Sequence, residues 1–113
     1  SEAVGQNLYV YNFAGLADLN LSISKPLDTI ELNVLGNTNI LEACRMNKVN
    51  RFIYASTVYA FSEQGSFYGL SKKCSEKIIE EYRNEFGLCF TIIRNGGFLH
   101  VRQKAMVILN LMN

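Results

Sequence analysis

The sequence predicts an α/β fold with a three-stranded parallel sheet in the order β-α-β-α-β. Three apolar runs, at 8–13, 51–56 and 88–93, have the β-branched and aromatic composition of buried strands. Two long segments with helical spacing of apolar residues separate these runs. Connections of that length suit parallel pairing, which needs a crossover rather than a hairpin. The 113 residues are enough for one small domain, 1–113.

Composition excludes several classes of protein. An apolar fraction of 49% allows a core to form, and a net charge of +1 gives no footprint for nucleic acid or an anionic membrane. We find no apolar run long enough to span a membrane and no basic-then-apolar leader. The three cysteines are isolated, so we expect no metal site and buried, reduced thiols in a cytoplasmic protein.

The first strand, Leu8 to Phe13, is apolar on both faces. In a complete doubly wound sheet such a strand has a neighbour on each side, so the sequence predicts an exposed edge here. Ala14, Gly15 and Leu16 follow the strand. These residues either let another molecule approach the backbone or simply form a turn.

A first helix is predicted from Pro26 to about Met46, after an irregular segment at 17–25. Ser24 is the expected cap, and Pro26 suits the first turn. Gly36 costs about 1 kcal/mol against Ala inside a helix, so we expect it to mark close packing. The residues assigned to the buried face are Leu27, Ile30, Val34, Leu41 and Cys44.

A second helix is predicted over 68–86, after a loop that follows the second strand. Gly87 is expected to end it, since glycine often lies just beyond a helix. The residues assigned to the face toward the sheet are Leu70, Cys74, Ile78, Tyr82 and Phe86. After the third strand, the spacing of apolar residues predicts a last helix over 100–113.

Tyr68 and Lys72 are four residues apart and therefore lie one turn apart on the same helix face. A tyrosine titrates near pH 10, and lowering that value by about three units needs roughly 4 kcal/mol. One cation supplies about 1 kcal/mol in water but about 4 kcal/mol in a partly dry cleft. The pair is therefore a candidate acid/base only in a covered site, and with six tyrosines chance also explains the spacing.

Five segments occur in an order that is specific as a set. They are 10–15, 33–43, 51–59, the run Tyr68-Gly69-Leu70-Ser71-Lys72 with Glu76, and 91–94. Together they resemble the NAD-dependent epimerase/dehydratase family, the extended short-chain dehydrogenase/reductases that act on nucleotide sugars. The resemblance covers about residues 8–96. It implies a partial Rossmann-like sheet, the second half of a dinucleotide-binding domain.

The resemblance implies a hydride transfer at a sugar carbon. Tyr68 is then the general acid/base for a sugar hydroxyl, Lys72 holds the nicotinamide ribose and lowers the Tyr68 pKa, and Thr57 orients the sugar oxygen. The cofactor is NAD, with NADP left open. The residues that the resemblance places at the cofactor are Ala14, Gly15, Leu16, Asn33, Ser56, Tyr68 and Lys72.

Several of these residues also have plain structural interpretations. Ser56 and Thr57 are equally explained as strand-end hydroxyls bonded to the backbone. Asn33 is explained as an interior polar group satisfied by a neighbouring loop. Arg94 is explained as a solvated charge at a strand end.

The sequence also departs from the family pattern. It contains no G-x-x-G-x-x-G, the turn that cradles the cofactor phosphates. We therefore expect a fragment that is inactive alone, lacking the glycine-rich loop and the C-terminal substrate domain. The alternative is a non-catalytic module that acts through self-association or protein binding. Its surfaces would be the open first strand, the apolar tail, or a homodimer through helices 27–46 and 68–86, which match a pair that forms dimer interfaces in the family.

Overall fold

The computed structural model describes residues 7–13, 19–57, 60, 65–95 and 105–110. The strands are β1 (Asn7–Asn12), β2 (Arg51–Thr57), β3 (Phe90–Asn95) and β4 (Ala105–Asn110). The helices are α1 (Leu19–Ser24), α2 (Pro26–Ile30), α3 (Gly36–Met46) and α4 (Ser66–Phe86). A π-helical turn, Glu31–Leu35, joins α2 directly to α3.

The sheet has the strand order β3-β2-β1-β4. β1 pairs in parallel with β2, where Val10 faces Phe52, and β2 pairs in parallel with β3, where Tyr54 faces Ile92. The predicted three-stranded parallel sheet is therefore confirmed. Because the three strands follow one another in one direction, right-handed crossovers place α3 and α4 on the same face of the sheet.

β4 corrects two expectations. Residues 105–110, predicted as part of a helix, form a strand antiparallel to β1, with Asn7 opposite Asn110 and Asn12 opposite Ala105. The edge of β1, predicted to be exposed, is therefore paired. A short apolar run such as 105–109 fits a strand or a helix equally by periodicity, and pairing satisfies the backbone groups of the β1 edge.

The first helical segment differs from its prediction at both its start and its buried face. The segment predicted to be irregular contains α1, which ends at Ser24, and α2 begins at Pro26 after Lys25 without a side-chain cap. Leu41 and Cys44 are buried as predicted. Leu27 is 73% exposed, and Ile30 is exposed as well.

The π-helical turn explains this change of face. A π turn inserts one residue relative to α-helical spacing, so apolar positions before and after it do not share one face. The buried positions are instead polar ones that hydrogen-bond: Thr29 donates to the carbonyl of Lys25, Asn33 donates to Ser71, and Asn37 accepts from Asn12. A Cβ on Gly36 would meet only a backbone oxygen at 3.9 Å, so the predicted close packing there is wrong.

The face of α4 that meets the sheet was predicted correctly only in part. Leu70 is 58% exposed, and Cys74 and Phe86 are exposed too, whereas Ile78 and Tyr82 are half-buried and pack against the core. The residues that α4 buries are Tyr68, Gly69, Ser71, Lys72, Ser75, Glu76 and Ile79. Gly87 ends the helix in the left-handed conformation, with φ 73°, as predicted.

The core lies between the sheet and the helices α3 and α4. It consists of Val10, Leu41, Cys44, Phe52, Tyr54, Ile79 and Leu88. Within the part of the chain that the structure describes, no helix has the length and apolar character needed to cross a bilayer.

Candidate functional site

Tyr68 lies in the first turn of α4, beside the end of β2. Its side chain is largely buried, with 8% of the residue exposed. It shares a side-chain hydrogen bond with Thr57, the last residue of β2. The structure therefore brings together two of the three predicted catalytic residues.

Lys72 lies one turn further along α4 and is 3% exposed. Its Nζ donates to the carbonyl of Ala55 at 3.0 Å and lies 4.6 Å from the centroid of the Tyr54 ring. Lys72 thus extends into packed interior beside β2 rather than into an open cleft. Burial lowers the pKa of Lys72 to about 8, against the opposing effect of the Glu76 carboxylate.

The Tyr68 phenol is a weaker acid in this arrangement than an ordinary tyrosine. Burial raises the pKa of Tyr68, and the hydrogen bond from Thr57 opposes that rise without reversing it. The direction is opposite to the lowering that the resemblance implies for a complete site. The reason is physical: desolvation disfavours the phenolate, and the Lys72 amine is directed at a backbone carbonyl.

Consecutive residues of β2 are tied to successive turns of α4. The three ties are Ala55 to Lys72, Ser56 to Glu76, and Thr57 to Tyr68. Together they fix the end of the strand against the start of the helix. Ser56 is buried and donates to Glu76 Oε2 at 2.5 Å, so its hydroxyl is occupied within the protein.

Glu76 belongs to the sequence motif around Tyr68 but was not predicted as a site residue. It is 2% exposed and forms an ion pair of 2.7 Å with Arg94 on β3. Arg94 is therefore anchored at one end rather than simply solvated, although 43% of its side chain is exposed. The sequence did contain a signal: Glu76 is four residues after Lys72 and hence on the same face.

Asn33 lies in the π-helical turn and is buried against α4. Its Nδ2 donates to Ser71 Oγ at 2.9 Å, and its carbonyl accepts from Ser75 Oγ at 2.7 Å. Ser71 Oγ in turn donates to the carbonyl of Tyr68 at 2.7 Å. Asn33 thus holds the turn of α4 that carries Tyr68. Three other predicted cofactor residues, Ala14, Gly15 and Leu16, lie outside the described residues.

Comparison with protein families and with individual proteins identifies relatives of this chain. The model of the NAD dependent epimerase/dehydratase family matches residues 4–99. The UDP-glucose 4-epimerase of Erwinia amylovora is 32% identical over 87 residues, which are 65% of this chain and 26% of that protein.

Solved structures of UDP-glucose 4-epimerases also match this chain. The UDP-glucose 4-epimerase of Thermus thermophilus, solved in complex with NAD, matches with a TM-score of 0.69 and 30% identity, covering 76% of this chain and 32% of the other. The Thermotoga maritima enzyme, solved with UDP-glucose, matches with a TM-score of 0.67 and 27% identity, covering 76% and 33%.

The chain spans about a third or less of the length of these relatives. Within that span, the match covers the parallel sheet and both crossover helices, together with Thr57, Tyr68 and Lys72. The chain belongs to the NAD dependent epimerase/dehydratase family.

Proposed function

We propose that this chain contributes the proton-transfer part of the active site of a nicotinamide-dependent nucleotide-sugar epimerase or dehydratase. The observation that carries the proposal is the Thr57–Tyr68 hydrogen bond at the carboxyl end of β2, with Lys72 one turn along. Ligands of open α/β sheets bind at this end of the strands. Relatives of the chain include UDP-glucose 4-epimerases, which favours a nucleotide sugar as the substrate class.

In the proposed reaction, Tyr68 accepts the proton of a sugar hydroxyl as hydride leaves the carbon that bears this hydroxyl. A bound nicotinamide would supply the hydride acceptor. Thr57, already bonded to Tyr68, keeps the phenol oxygen at the end of the strand and orients the sugar oxygen. Because burial raises the pKa of Tyr68, the reaction needs additional positive charge near the phenol in the complete site.

Lys72 fits the nicotinamide ribose by its donor count. An ammonium has three N–H donors, and one is directed at the Ala55 carbonyl. The two others suit a vicinal pair of ribose hydroxyls once the side chain turns toward the cofactor from the buried position that it occupies here. Positive charge on Lys72 would also favour the tyrosinate, as soon as water is excluded from the site.

A chimera tests the proposal. Residues 4–99 of this chain would replace the corresponding segment of the Thermus thermophilus UDP-glucose 4-epimerase, and turnover of UDP-glucose would be measured. We expect Tyr68→Phe to lower turnover by about 10²-fold or more while NAD stays bound. A chimera that binds NAD and turns over equally well with and without the Tyr68 hydroxyl would contradict the proposal.

The 113-residue chain by itself is expected to bind NAD weakly. Its sequence contains no G-x-x-G-x-x-G to hold the pyrophosphate, and phosphate contacts supply much of the affinity for a dinucleotide. Isothermal calorimetry with NAD measures this directly. A micromolar dissociation constant would show that other residues of the chain hold the cofactor.

Self-association is a second candidate function, supported by exposed apolar side chains on the two helical segments. Leu27 and Leu35 on the first segment and Leu70 on α4 are all exposed. Light scattering after size exclusion would show a dimer that Leu70→Glu converts to a monomer, with Glu80→Lys as an exposed control on the same helix. A full chain that stays monomeric at high concentration would count against this function.

A further inference from the structure

We infer that Glu76 is a positioning residue for the Tyr68 and Lys72 site, because it fastens the helix that carries both to the ends of two strands. The inference rests on the proposed function, because that proposal is what makes Tyr68 and Lys72 an active site. Glu76 itself touches neither substrate nor cofactor in the proposed reaction. It acts through Ser56 on β2 and Arg94 on β3.

The bonding of Glu76 is dense for a single carboxylate. Oε2 accepts from Ser56 Oγ at 2.5 Å and from Arg94 Nε at 3.1 Å, and Oε1 accepts from Arg94 Nη2 at 2.7 Å. A carboxylate that is 2% exposed is costly to bury unless it is paired and hydrogen-bonded in this way. The carboxylate therefore makes the position of α4 dependent on both strands.

The position of Ser56 gives this anchor its effect on the site. Ser56 lies between Ala55, whose carbonyl accepts from Lys72, and Thr57, which bonds Tyr68. The hydrogen bond from Ser56 to Glu76 therefore fixes the position of the end of β2 along the axis of α4. Loss of that tie would let Thr57 move away from Tyr68, although neither residue has changed.

Glu76 also lies one helical turn after Lys72 and favours its charged form. The Glu76 carboxylate raises the pKa of Lys72 against the larger effect of burial. Within the described part of the chain, the other charged or titratable groups near this cluster are the Tyr54 ring under Nζ, the Tyr68 phenol one turn before, and the Arg94 guanidinium on β3, with Glu80 acting on Arg94 and Cys74 on Tyr54. Glu76 is the carboxylate whose charge favours the Lys72 cation.

Titration of the full 113-residue chain by NMR tests the inference, with Glu76→Gln as the variant. The signals of Lys72 Nζ and the Tyr68 ring would be assigned by loss in Lys72→Met and Tyr68→Phe. We expect the Lys72 midpoint to fall by about one pH unit, a tenfold change in its proton affinity. Glu80→Gln, the same substitution one turn further along α4 on an exposed residue, should leave both midpoints unchanged.

The direction in which the Tyr68 midpoint shifts distinguishes a loss of positioning from the direct electrostatic effect of removing the Glu76 charge. Removing a nearby negative charge can only lower the pKa of a phenol, whereas losing the hydrogen bond from Thr57 raises it. We therefore expect the Tyr68 midpoint to rise in Glu76→Gln. A fall, or no change, in a folded variant would overturn the positioning role.

A double variant protects the test against misfolding. Glu76→Met with Arg94→Leu removes both charges at similar volume, a replacement that buried ion pairs often tolerate. The loss of two opposite charges offsets at Lys72, so its midpoint should shift less than in Glu76→Gln, whereas the Tyr68 midpoint should still rise because Ser56 is no longer held to α4. A folded double variant whose Tyr68 midpoint matches that of the unchanged chain would show that Glu76 only stabilises the core. Because neither titration uses cofactor or substrate, this result is separate from the outcome of the chimera.

Discussion

At the scale of the residue, Lys72 links the stability of the fold to pH. Its pKa in the folded chain is lowered to about 8 by burial, from an unfolded value of 10.5. Between those values the unfolded chain binds more protons than the folded chain, so this residue makes stability rise with pH. Below about pH 8 Lys72 is charged in both states, and its contribution no longer changes with pH.

We predict that the unfolding free energy of the natural chain, relative to Lys72→Met, increases by about 1 kcal/mol between about pH 8 and 9. Denaturant titrations at several pH values measure it. Taking the difference cancels other groups, such as Cys44, whose pKa burial raises from 9.0 to about 11. A difference that stays constant across this range would contradict the lowered pKa of Lys72.

Sequence alone located part of the site at this scale. The spacing of Tyr68 and Lys72 and the family pattern together selected a helix turn that the structure does place against Thr57. Glu76 and the burial of Lys72 were not predicted. Periodicity counts apolar residues, whereas these charged side chains are buried because each has a partner on another strand or on the backbone.

At the scale of the element, the face that α4 buries differs in part from the face that the spacing of its apolar residues predicts. The apolar residues used to predict its buried face include Leu70, which is exposed, whereas Ile79 is fully buried in the core. The sheet-facing surface is built mainly from hydrogen-bonded polar side chains and small residues. The apolar spacing therefore predicted the helix correctly but only part of the face that it buries.

We predict that Ile79→Ala lowers the free energy of unfolding by about 2–5 kcal/mol, because it leaves a cavity in the core. Leu70→Ala on the same helix should change it by less than about 0.5 kcal/mol. Urea denaturation followed by circular dichroism measures both. Equal costs at the two positions would show that the exposed side of α4 is packed in solution, as in a self-associated chain.

The glycines of the two helical segments give a second prediction at this scale. Gly87 has φ 73°, where an alanine is strained, so Gly87→Ala should destabilise the chain by about 1–2 kcal/mol. Gly36 has helical φ and ψ, and a Cβ there meets only a backbone oxygen at 3.9 Å. Gly36→Ala should therefore stabilise by about 0.5–1 kcal/mol.

The two substitutions are the same change made at the cap that ends α4 and at the point where the π-helical turn passes into α3. Thermal unfolding of both variants beside the unchanged chain gives the sign of each effect. Destabilisation by Gly36→Ala would indicate that the passage from the π-helical turn into α3 depends on the flexibility of glycine.

At the scale of the whole molecule, the three parallel strands were predictable and the fourth was not. Each parallel strand is a continuous apolar run, and each crossover has a recognisable helix, so order and direction followed from general rules. β4 depends on a pairing with β1 that is distant in sequence, between Asn7–Asn12 and Ala105–Asn110. Local patterns contain no information on which strand such a run will join.

The pairing of β4 with β1 leads to the last prediction. Without β4, one edge of β1 would have unpaired backbone groups. β1 is also the strand whose sequence is apolar on both faces. Such an edge is a template for another chain. We therefore expect a chain shortened to residues 1–96 to associate further than the full chain does, in a concentration-dependent way.

Light scattering after size exclusion would compare the full and shortened chains over a range of concentrations. Tyr9→Lys in the shortened chain is the matched control, because a lysine on an edge strand opposes pairing with a second copy. It should restore the mass distribution of the full chain. If the shortened chain instead matches the full chain at every concentration, β4 does not protect the edge of β1, and association would have to arise at the helices.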